Sequence, residues 1–180
     1  YEEVEWRITD KRAAHMKSSI ILAAGLGKRV REYSSNLPKP LIAVNGKPFI
    51  EYSINIMEEL GFEEIFINVH YKSDQIISYL TNLNNPKITI SDETDCLLDT
   101  GGGIKKAVSS FGDEDIVVIN SDIYSDLDYR CFRNFSANTL FVVPANQPGS
   151  GDFYVEEKLI SLEGDKNYTF VLFLLPQDLG

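Results

Sequence analysis

The sequence predicts an α/β protein whose sheet is mixed, mostly parallel and flanked by helices. Short apolar segments rich in β-branched residues alternate with segments of helical periodicity through the first two-thirds of the chain. The 180 residues, 43% hydrophobic and 24% charged, can form one domain with a sizeable core. In such sheets ligands bind beyond the carboxyl ends of the strands.

The individual elements follow from local patterns. The first strand is predicted at 18–23, where an apolar segment ends at Ala-Gly. A helix is predicted between Pro48 and Gly61, because the apolar residues between them recur at helical spacing. A second helix at 73–80 would be capped by Ser73 or Asp74. The same patterns predict strands at 64–70, 87–91, 115–120, 139–144 and 168–175, and a short helix at 104–111 that follows a glycine-rich loop.

Charge and composition limit the partners and the compartment. A net charge of −10 argues against nucleic acid and against an anionic membrane surface as partners. No apolar run is long enough to cross a bilayer, and the polar N-terminus does not resemble a secretory signal. Cys96 and Cys131 lack metal-like spacing, which favours a reducing compartment, so we expect a cytoplasmic protein. Neither cysteine, nor His70, has a pattern that predicts a catalytic role.

The loop after the first strand combines small residues with cations. Gly25 and Gly27 would let backbone N–H groups approach an anion closely, and four cations against one anion occur between Lys28 and Lys39. The pattern matches neither the P-loop nor the dinucleotide-binding fingerprint. The residues alone allow two interpretations, a phosphate-binding loop or a solvated basic loop on an acidic protein.

Several motifs together resemble the sugar-1-phosphate nucleotidyltransferases. LAAGLGKR at 22–29 followed by Pro-Lys-Pro at 38–40 resembles the signature of that family. LLDTGGGIKKA at 97–107 resembles its base-recognition segment, VINSDIY at 118–124 its metal-binding strand end, and GSGDF at 149–153 its sugar-binding segment. The resemblance covers roughly residues 16–175 in family order, and it implies the Rossmann-like nucleotide-diphospho-sugar transferase fold.

The resemblance implies a reaction between a nucleoside triphosphate and a sugar 1-phosphate that releases pyrophosphate. TGGGI and GDF favour the branch of the N-acetylmuramate-1-phosphate uridylyltransferases, and hence UTP. Mannose-1-phosphate guanylyltransferases and glucose-1-phosphate thymidylyltransferases share much of the pattern. Two further hypotheses are a phosphocholine cytidylyltransferase and a non-catalytic module that binds a nucleotide sugar.

The resemblance also assigns roles to residues. Arg29 and Lys39 would be catalytic, with Arg29 at the β- and γ-phosphates and Lys39 at the α-phosphate. Asp122 would hold the Mg²⁺ cofactor. Asn120 and Gly151, together with Lys39, would bind the sugar phosphate. The residues expected to bind the nucleotide are Ala23, Ala24, Gly25, Gly27, Lys28, Arg29, Gly101, Gly102 and Gly103.

The two ends of the chain carry separate expectations. Residues 1–15 do not share the pattern that follows and are interpreted as an N-terminal extension or the remnant of a tag. Residues 16–180 are assigned to the catalytic domain, which we expect to lack its C-terminal part. The family's second metal-binding aspartate has no match here and would lie beyond Gly180.

Overall fold

A six-stranded sheet forms the centre of the fold in the computed structural model. The structure describes residues 17–27, 30, 36–95, 98–111, 116–124, 128–130, 139–144, 149, 154–156, 159–161 and 168–175. The strands are β1 Ser18–Ala23, β2 Ala43–Val44, β3 Lys47–Pro48, β4 Glu64–Val69, β5 Ile88–Asp92, β6 Ile116–Asn120, β7 Thr139–Pro144, β8 Tyr154–Glu156, β9 Leu159–Ser161 and β10 Tyr168–Leu175. The helices are α1 Phe49–Glu59, α2 Ser73–Leu83 and α3 Asp99–Val108.

The strand order confirms the predicted mostly parallel sheet. The order is β5-β4-β1-β6-β10-β7, and β5, β4, β1 and β6 pair in parallel. Strand β10 runs antiparallel to both β6 and β7. The chain places β4 on one side of β1 and β6 on the other, so the strand order reverses at β1. A crevice forms at such a reversal, beyond the carboxyl ends of β1 and β6.

Helices cover both faces of the sheet because the central strands are apolar on both sides. In β1, Ile21 belongs to the core cluster that α1 and α2 cover, whereas Ile20 belongs to the cluster under α3. Strand β6 alternates in the same way, with Val117 facing α1 and α2 and Val118 facing α3. Continuous apolar strands are typical of sheets buried on both faces.

The two predicted helix termini have different outcomes. Gly61 has φ +80° and ends α1, where the amides of Gly61 and Phe62 donate to the carbonyls of Glu58 and Met57 at 2.9 and 3.1 Å. The predicted side-chain cap of α2 is wrong. Lys72 occupies the cap position with φ 52°, and neither Ser73 nor Asp74 caps the helix. The Ser73 hydroxyl instead bonds the Thr94 hydroxyl at 2.8 Å.

Helix α3 differs from its prediction at both ends. It spans Asp99–Val108, so Gly101, Gly102 and Gly103 lie inside the first turns of the helix and do not form a loop before it. Close packing requires glycine at position 103, because a Cβ there would lie 2.6 Å from Nδ2 of Asn68. Tertiary contacts thus override the low helix propensity of glycine.

Two hairpins were not predicted from the sequence, β2–β3 and β8–β9. The first turns at Asn45 and Gly46, whose φ angles of 50° and 80° fit a tight hairpin turn. Asn-Gly is a strong hairpin signal, but strands of two residues are too short to show alternation. Within the described ranges, no helix is long and apolar enough to traverse a membrane. The segment 1–15 lies outside the described residues.

Candidate functional site

The carboxyl ends of β1 and β6 meet at one fixed edge of the sheet. The amide of Ser121 donates to the carbonyl of Leu22 at 3.1 Å, which joins the ends of the two strands. From α1, the buried Ser53 hydroxyl donates to the carbonyl of Asn120 at 2.9 Å. Ala23 and Ala24 are buried where the first loop leaves the sheet. The predicted site residues at these two strand ends therefore lie together on a rigid support.

Gly27 brings the first loop against the Pro-Lys-Pro turn. Its φ is 57°, and its carbonyl accepts a hydrogen bond from the amide of Val30 at 3.1 Å. A Cβ at position 27 would lie 3.3 Å from Cβ of Lys39. Both the left-handed backbone and the close approach favour glycine at this position.

Lys39 is held in a short 3₁₀ turn, Lys39–Leu41. The amide of Leu41 donates to the carbonyl of Pro38 at 2.9 Å, and Pro40 and Leu41 are buried. This anchoring leaves the lysine side chain 35% exposed at the edge of the sheet. Its ammonium group forms an ion pair with Oδ2 of Asp122, whose side chain is 26% exposed. The structure thus brings together the predicted phosphate-binding lysine and the predicted metal-binding aspartate.

A buried polar pair lies on the other side of β1. The Oδ1 atom of Asn68, in β4, accepts a hydrogen bond from the amide of Ala23 at 2.9 Å. The Nδ2 atom of Asn68 donates to Oε1 of Glu93 at 3.2 Å, and both side chains are 3% exposed. Gly103 packs against this pair, since its Cβ would lie 3.0 Å from Oε1 of Glu93. The glycine segment is therefore adjacent to the start of the first loop.

Sequence reasoning missed Asn68 and Glu93. A signal was present, because Asn68 is an amide in the otherwise apolar strand EIFINV. Buried amides need partners, so a polar residue at this depth indicates a specific contact. No comparable signal identified Glu93 as its partner, because Asn68 lies in β4 and Glu93 directly follows β5, 25 residues further along the chain.

The backbone of Glu93 is also fixed. Its amide donates to the carbonyl of Val69 at 2.8 Å, and its carbonyl accepts from Nδ1 of His70 at 2.7 Å when that nitrogen carries the proton. Among the described residues, its second carboxylate oxygen, Oε2, and Oγ of Ser91 are buried without a hydrogen-bond partner. The His70 ring thus contacts the backbone directly after β5.

A second contact ties the far end of the first loop to α2. The Lys72 ammonium donates to both the carbonyl oxygen and the side-chain oxygen of Asn36. Both residues have positive φ, 52° for Lys72 and 70° for Asn36. The contact holds Asn36, from which the chain leads into Pro38.

One carboxylate near the site has a shifted pKa. The hydroxyl and the amide of Thr94 donate to Oδ1 of Asp92 and hold the pKa of that carboxyl below its ordinary value of 3.8. Lys106 adds a smaller effect in the same direction and donates to the Asp92 carbonyl at 2.9 Å. Asp92, the last residue of β5, therefore stays ionised near neutral pH.

Some predicted site residues cannot be placed. Lys28, Arg29 and Gly151 lie outside the described residues, as do Cys96 and Cys131. Among the residues that are described, no three His, Cys, Asp or Glu side chains cluster as a metal site would require. Asp122 fits Mg²⁺ as a single hard oxygen ligand, with the remaining positions open to phosphate and water oxygens.

Comparison with known proteins identifies the family of the chain. A family model described as "Nucleotidyl transferase" matches residues 18–142, a stretch that contains β1, the Lys39 turn, α3 and the end of β6. The chain belongs to the nucleotidyl transferase family. This result confirms the family resemblance and the fold that the motifs predicted.

Individual relatives of this nucleotidyl transferase differ in the base they are named for. It is 37% identical over 113 residues to D-glycero-alpha-D-manno-heptose 1-phosphate guanylyltransferase of Aneurinibacillus thermoaerophilus, covering 62% of this chain and 49% of the relative. It is also 37% identical over 110 residues to N-acetylmuramate alpha-1-phosphate uridylyltransferase of Caulobacter vibrioides, covering 59% of this chain and 46% of the relative. The chain thus spans about half the length of the curated relatives that it matches.

A solved structure extends the similarity beyond the matched segment. The crystal structure of HddC from Yersinia pseudotuberculosis superposes with a TM-score of 0.70 at 29% identity. The match covers 90% of this nucleotidyl transferase and 77% of HddC.

Proposed function

We propose that this chain forms the nucleotide-binding part of a sugar-1-phosphate nucleotidyltransferase. The reaction joins a nucleoside triphosphate to a sugar 1-phosphate and yields a nucleoside diphosphate sugar and pyrophosphate. The observation that carries the proposal is the convergence of Gly27, Lys39 and Asp122 at the reversal point of the sheet. Phosphoryl transfer requires a close backbone approach, a cation and a carboxylate, which Gly27, Lys39 and the distant Asp122 supply.

The chemistry needs no nucleophile from the protein. An oxygen of the sugar phosphate attacks the α-phosphorus, and the bond from that phosphorus to the bridging oxygen of pyrophosphate breaks. Lys39 would neutralise charge at the α-phosphate and draw the two anionic substrates together, and Arg29 would neutralise the departing pyrophosphate. The ammonium of Lys39 leaves Asp122 when it takes up this contact.

Asp122 is the described residue best suited to hold Mg²⁺. When bound, the ion would neutralise the phosphates and orient them for in-line attack. Asn120, at the end of β6, and Gly151 would contact the sugar phosphate. We retain the cytoplasm as the expected location, which is where nucleoside triphosphates and reduced cysteines occur together.

For the base, we propose uracil first and guanine second. The LLDTGGGI segment favours uracil by its resemblance to the uridylyltransferase branch. Relatives named for uridylyl and for guanylyl transfer are equally identical to this chain, at 37%. The base would lie at Gly101, Gly102 and Gly103, where backbone groups at the N-terminus of α3 can read its edge.

The test is a direct comparison of nucleotides and acceptors. Calorimetric titration of UTP, GTP, CTP and dTTP with Mg²⁺ should show tightest binding for UTP. Pyrophosphate release should then require both that nucleotide and a sugar 1-phosphate. Preference for GTP would move the assignment to guanylyl transfer. Binding without release, with every acceptor, would support the non-catalytic nucleotide-sugar module, and release with phosphocholine alone would support the cytidylyltransferase alternative.

A further inference from the structure

Asn68 joins the two segments that the proposed function assigns to the nucleotide. Its Oδ1 holds the amide of Ala23, where the phosphate loop begins, and its Nδ2 holds Glu93 and lies against Gly103. Among the described residues, Ile20 of β1 also packs against Ile104 and Ala107 of α3. Asn68 is the side chain that contacts both segments themselves, and its carboxylate partner completes the link.

The pair is well suited to fix a distance. Both side chains are 3% exposed, so water cannot replace a lost partner. An amide has one donor end and one acceptor end, so Asn68 has a single orientation that satisfies both Ala23 and Glu93. Gly103 has no side chain, so α3 packs directly against the pair.

The two carboxylate oxygens of Glu93 have different surroundings. Oε1 accepts the bond from Asn68, whereas Oε2 is buried without a partner among the described residues. A carboxylate that served only to stabilise the fold would be costly in this arrangement, because one of its oxygens is desolvated without compensation. The contribution of Glu93 to this arrangement is the hydrogen bond that its Oε1 accepts from Asn68.

We propose that Asn68 and Glu93 are positioning residues that set the distance between the base-reading segment at Gly101–Gly103 and the phosphate loop at Ala23–Gly27. The inference rests on the proposed function. The two residues touch neither base nor phosphate; they act on a ligand only when it occupies both segments at once. A nucleoside triphosphate does so, whereas a free nucleoside or pyrophosphate does not.

The variants follow from the donor and acceptor pattern. Asn68→Asp keeps the acceptor for Ala23 but places a second carboxylate against Glu93, so the link is lost. Glu93→Gln alone keeps an acceptor for Asn68. The double variant Asn68→Asp with Glu93→Gln restores a link of reversed polarity, because the glutamine amide can donate to the new carboxylate. Asn85→Asp is the matched control, since Asn85 donates to Glu58 at 2.8 Å in an exposed pair of the same type.

The measurement compares whole and divided ligands. Dissociation constants of UTP, uridine and inorganic pyrophosphate are determined with Mg²⁺ by ligand-observed NMR and calorimetry, and thermal unfolding is followed in parallel. Asn68→Asp should weaken UTP about tenfold, the cost of one broken buried hydrogen bond. Uridine and pyrophosphate should stay within about twofold of the unmodified chain, and the double variant should recover most of the UTP affinity. Asn85→Asp should change none of the three dissociation constants.

Three results with the variants would overturn the inference. If the variant weakens the binding of uridine as much as the binding of UTP, the substitution has damaged the base site directly. Lowered thermal stability with all three affinities unchanged would indicate a purely structural role. If Asn68→Asp does not fold, the double variant decides: folding without recovered UTP affinity contradicts positioning. Failure of the unmodified chain to bind any nucleotide would contradict the proposed function itself, and with it the inference, before any variant is compared.

Discussion

The two sides of the candidate site are stabilised by different kinds of interaction. The charged side, Gly27, Lys39 and Asp122, is partly exposed and depends on an ion pair. The buried side, Asn68, Glu93 and Gly103, is sealed from water and depends on hydrogen bonds and close packing. Both begin at the same strand, since β1 leads into the loop that contains Gly27 and its last amide is held by Asn68.

This difference assigns different tasks to the two sides. An exposed ion pair contributes little to stability, so its members can exchange partners when charged substrates arrive. A buried amide cannot lose its partners without a large desolvation cost, so it maintains geometry. We therefore expect substitutions on the charged side to reduce rate at constant stability, and substitutions on the buried side to change stability and nucleotide affinity together.

The largest expected effect is on the charged side. Lys39→Met should reduce pyrophosphate release at least about 100-fold, because it removes the cation that the proposed function assigns to the transferring phosphate. Thermal unfolding should hardly change, since the lysine side chain is 35% exposed and packs through its neighbours Pro40 and Leu41. Lys105→Met, an exposed lysine in the last turn of α3, is the control and should leave the rate unchanged. A rate for Lys39→Met within a few-fold of the unmodified chain would contradict the assignment.

The next effect separates two glycines of the same helix. Gly103→Ala should lower the free energy of unfolding by about 1–3 kcal/mol, the usual cost of overpacking, because its Cβ meets Asn68 and Glu93. Gly101→Ala is the matched control. It has open space around its Cβ, so it should raise stability by up to about 1 kcal/mol through helix propensity. Chemical denaturation measures both, and equal changes in the two variants would argue against close packing at Gly103.

A third prediction concerns competition for Asp122. Lys39→Met should tighten Mn²⁺ binding a few-fold, since it frees the carboxylate from its ion pair. Asp122→Asn should weaken Mn²⁺ binding about tenfold, because it removes the charged ligand. Electron paramagnetic resonance of free Mn²⁺ reports both affinities without reference to turnover. Changes in the same direction would show that the lysine and the metal do not compete for Asp122.

The smallest effect is a pH dependence at Asp92, the last residue of β5. Bonds from Thr94 lower the pKa of Asp92 in the folded protein, so this carboxylate stabilises the fold above its unfolded pKa. That contribution is lost as the pH falls through the folded pKa. Thr94→Val removes the hydroxyl, so the pKa of Asp92 should move up toward 3.8, as NMR titration can measure. Asp128, whose pKa Arg130 lowers at a separate surface position, should titrate as before. An unchanged Asp92 would refute the assigned cause.

The sequence predicted most elements because they have strong local signals. Strand β1 and strands β7 and β10 have the predicted bounds, and Gly61 ends α1 as its backbone freedom suggested. The start of α3 was predicted wrongly because glycine has low helix propensity, and propensity does not include the contacts of Gly103 with another strand. The cap of α2 failed for a related reason, since Ser73 bonds Thr94 across the fold.

For the site, the sequence by itself determined which chemical groups are available. The small residues of the first loop, the lysine between two prolines and the aspartate after an apolar strand were all identified from type and order, and the family match confirms the family that their motifs resemble. The tertiary structure alone decided which of these groups meet. It placed Lys39 against Asp122, 83 residues apart, and it selected Asn68 and Glu93 as the link between two segments. Periodicity and propensity act over a few neighbouring residues, whereas these contacts depend on the strand order β4-β1-β6, which the packing of the whole sheet decides.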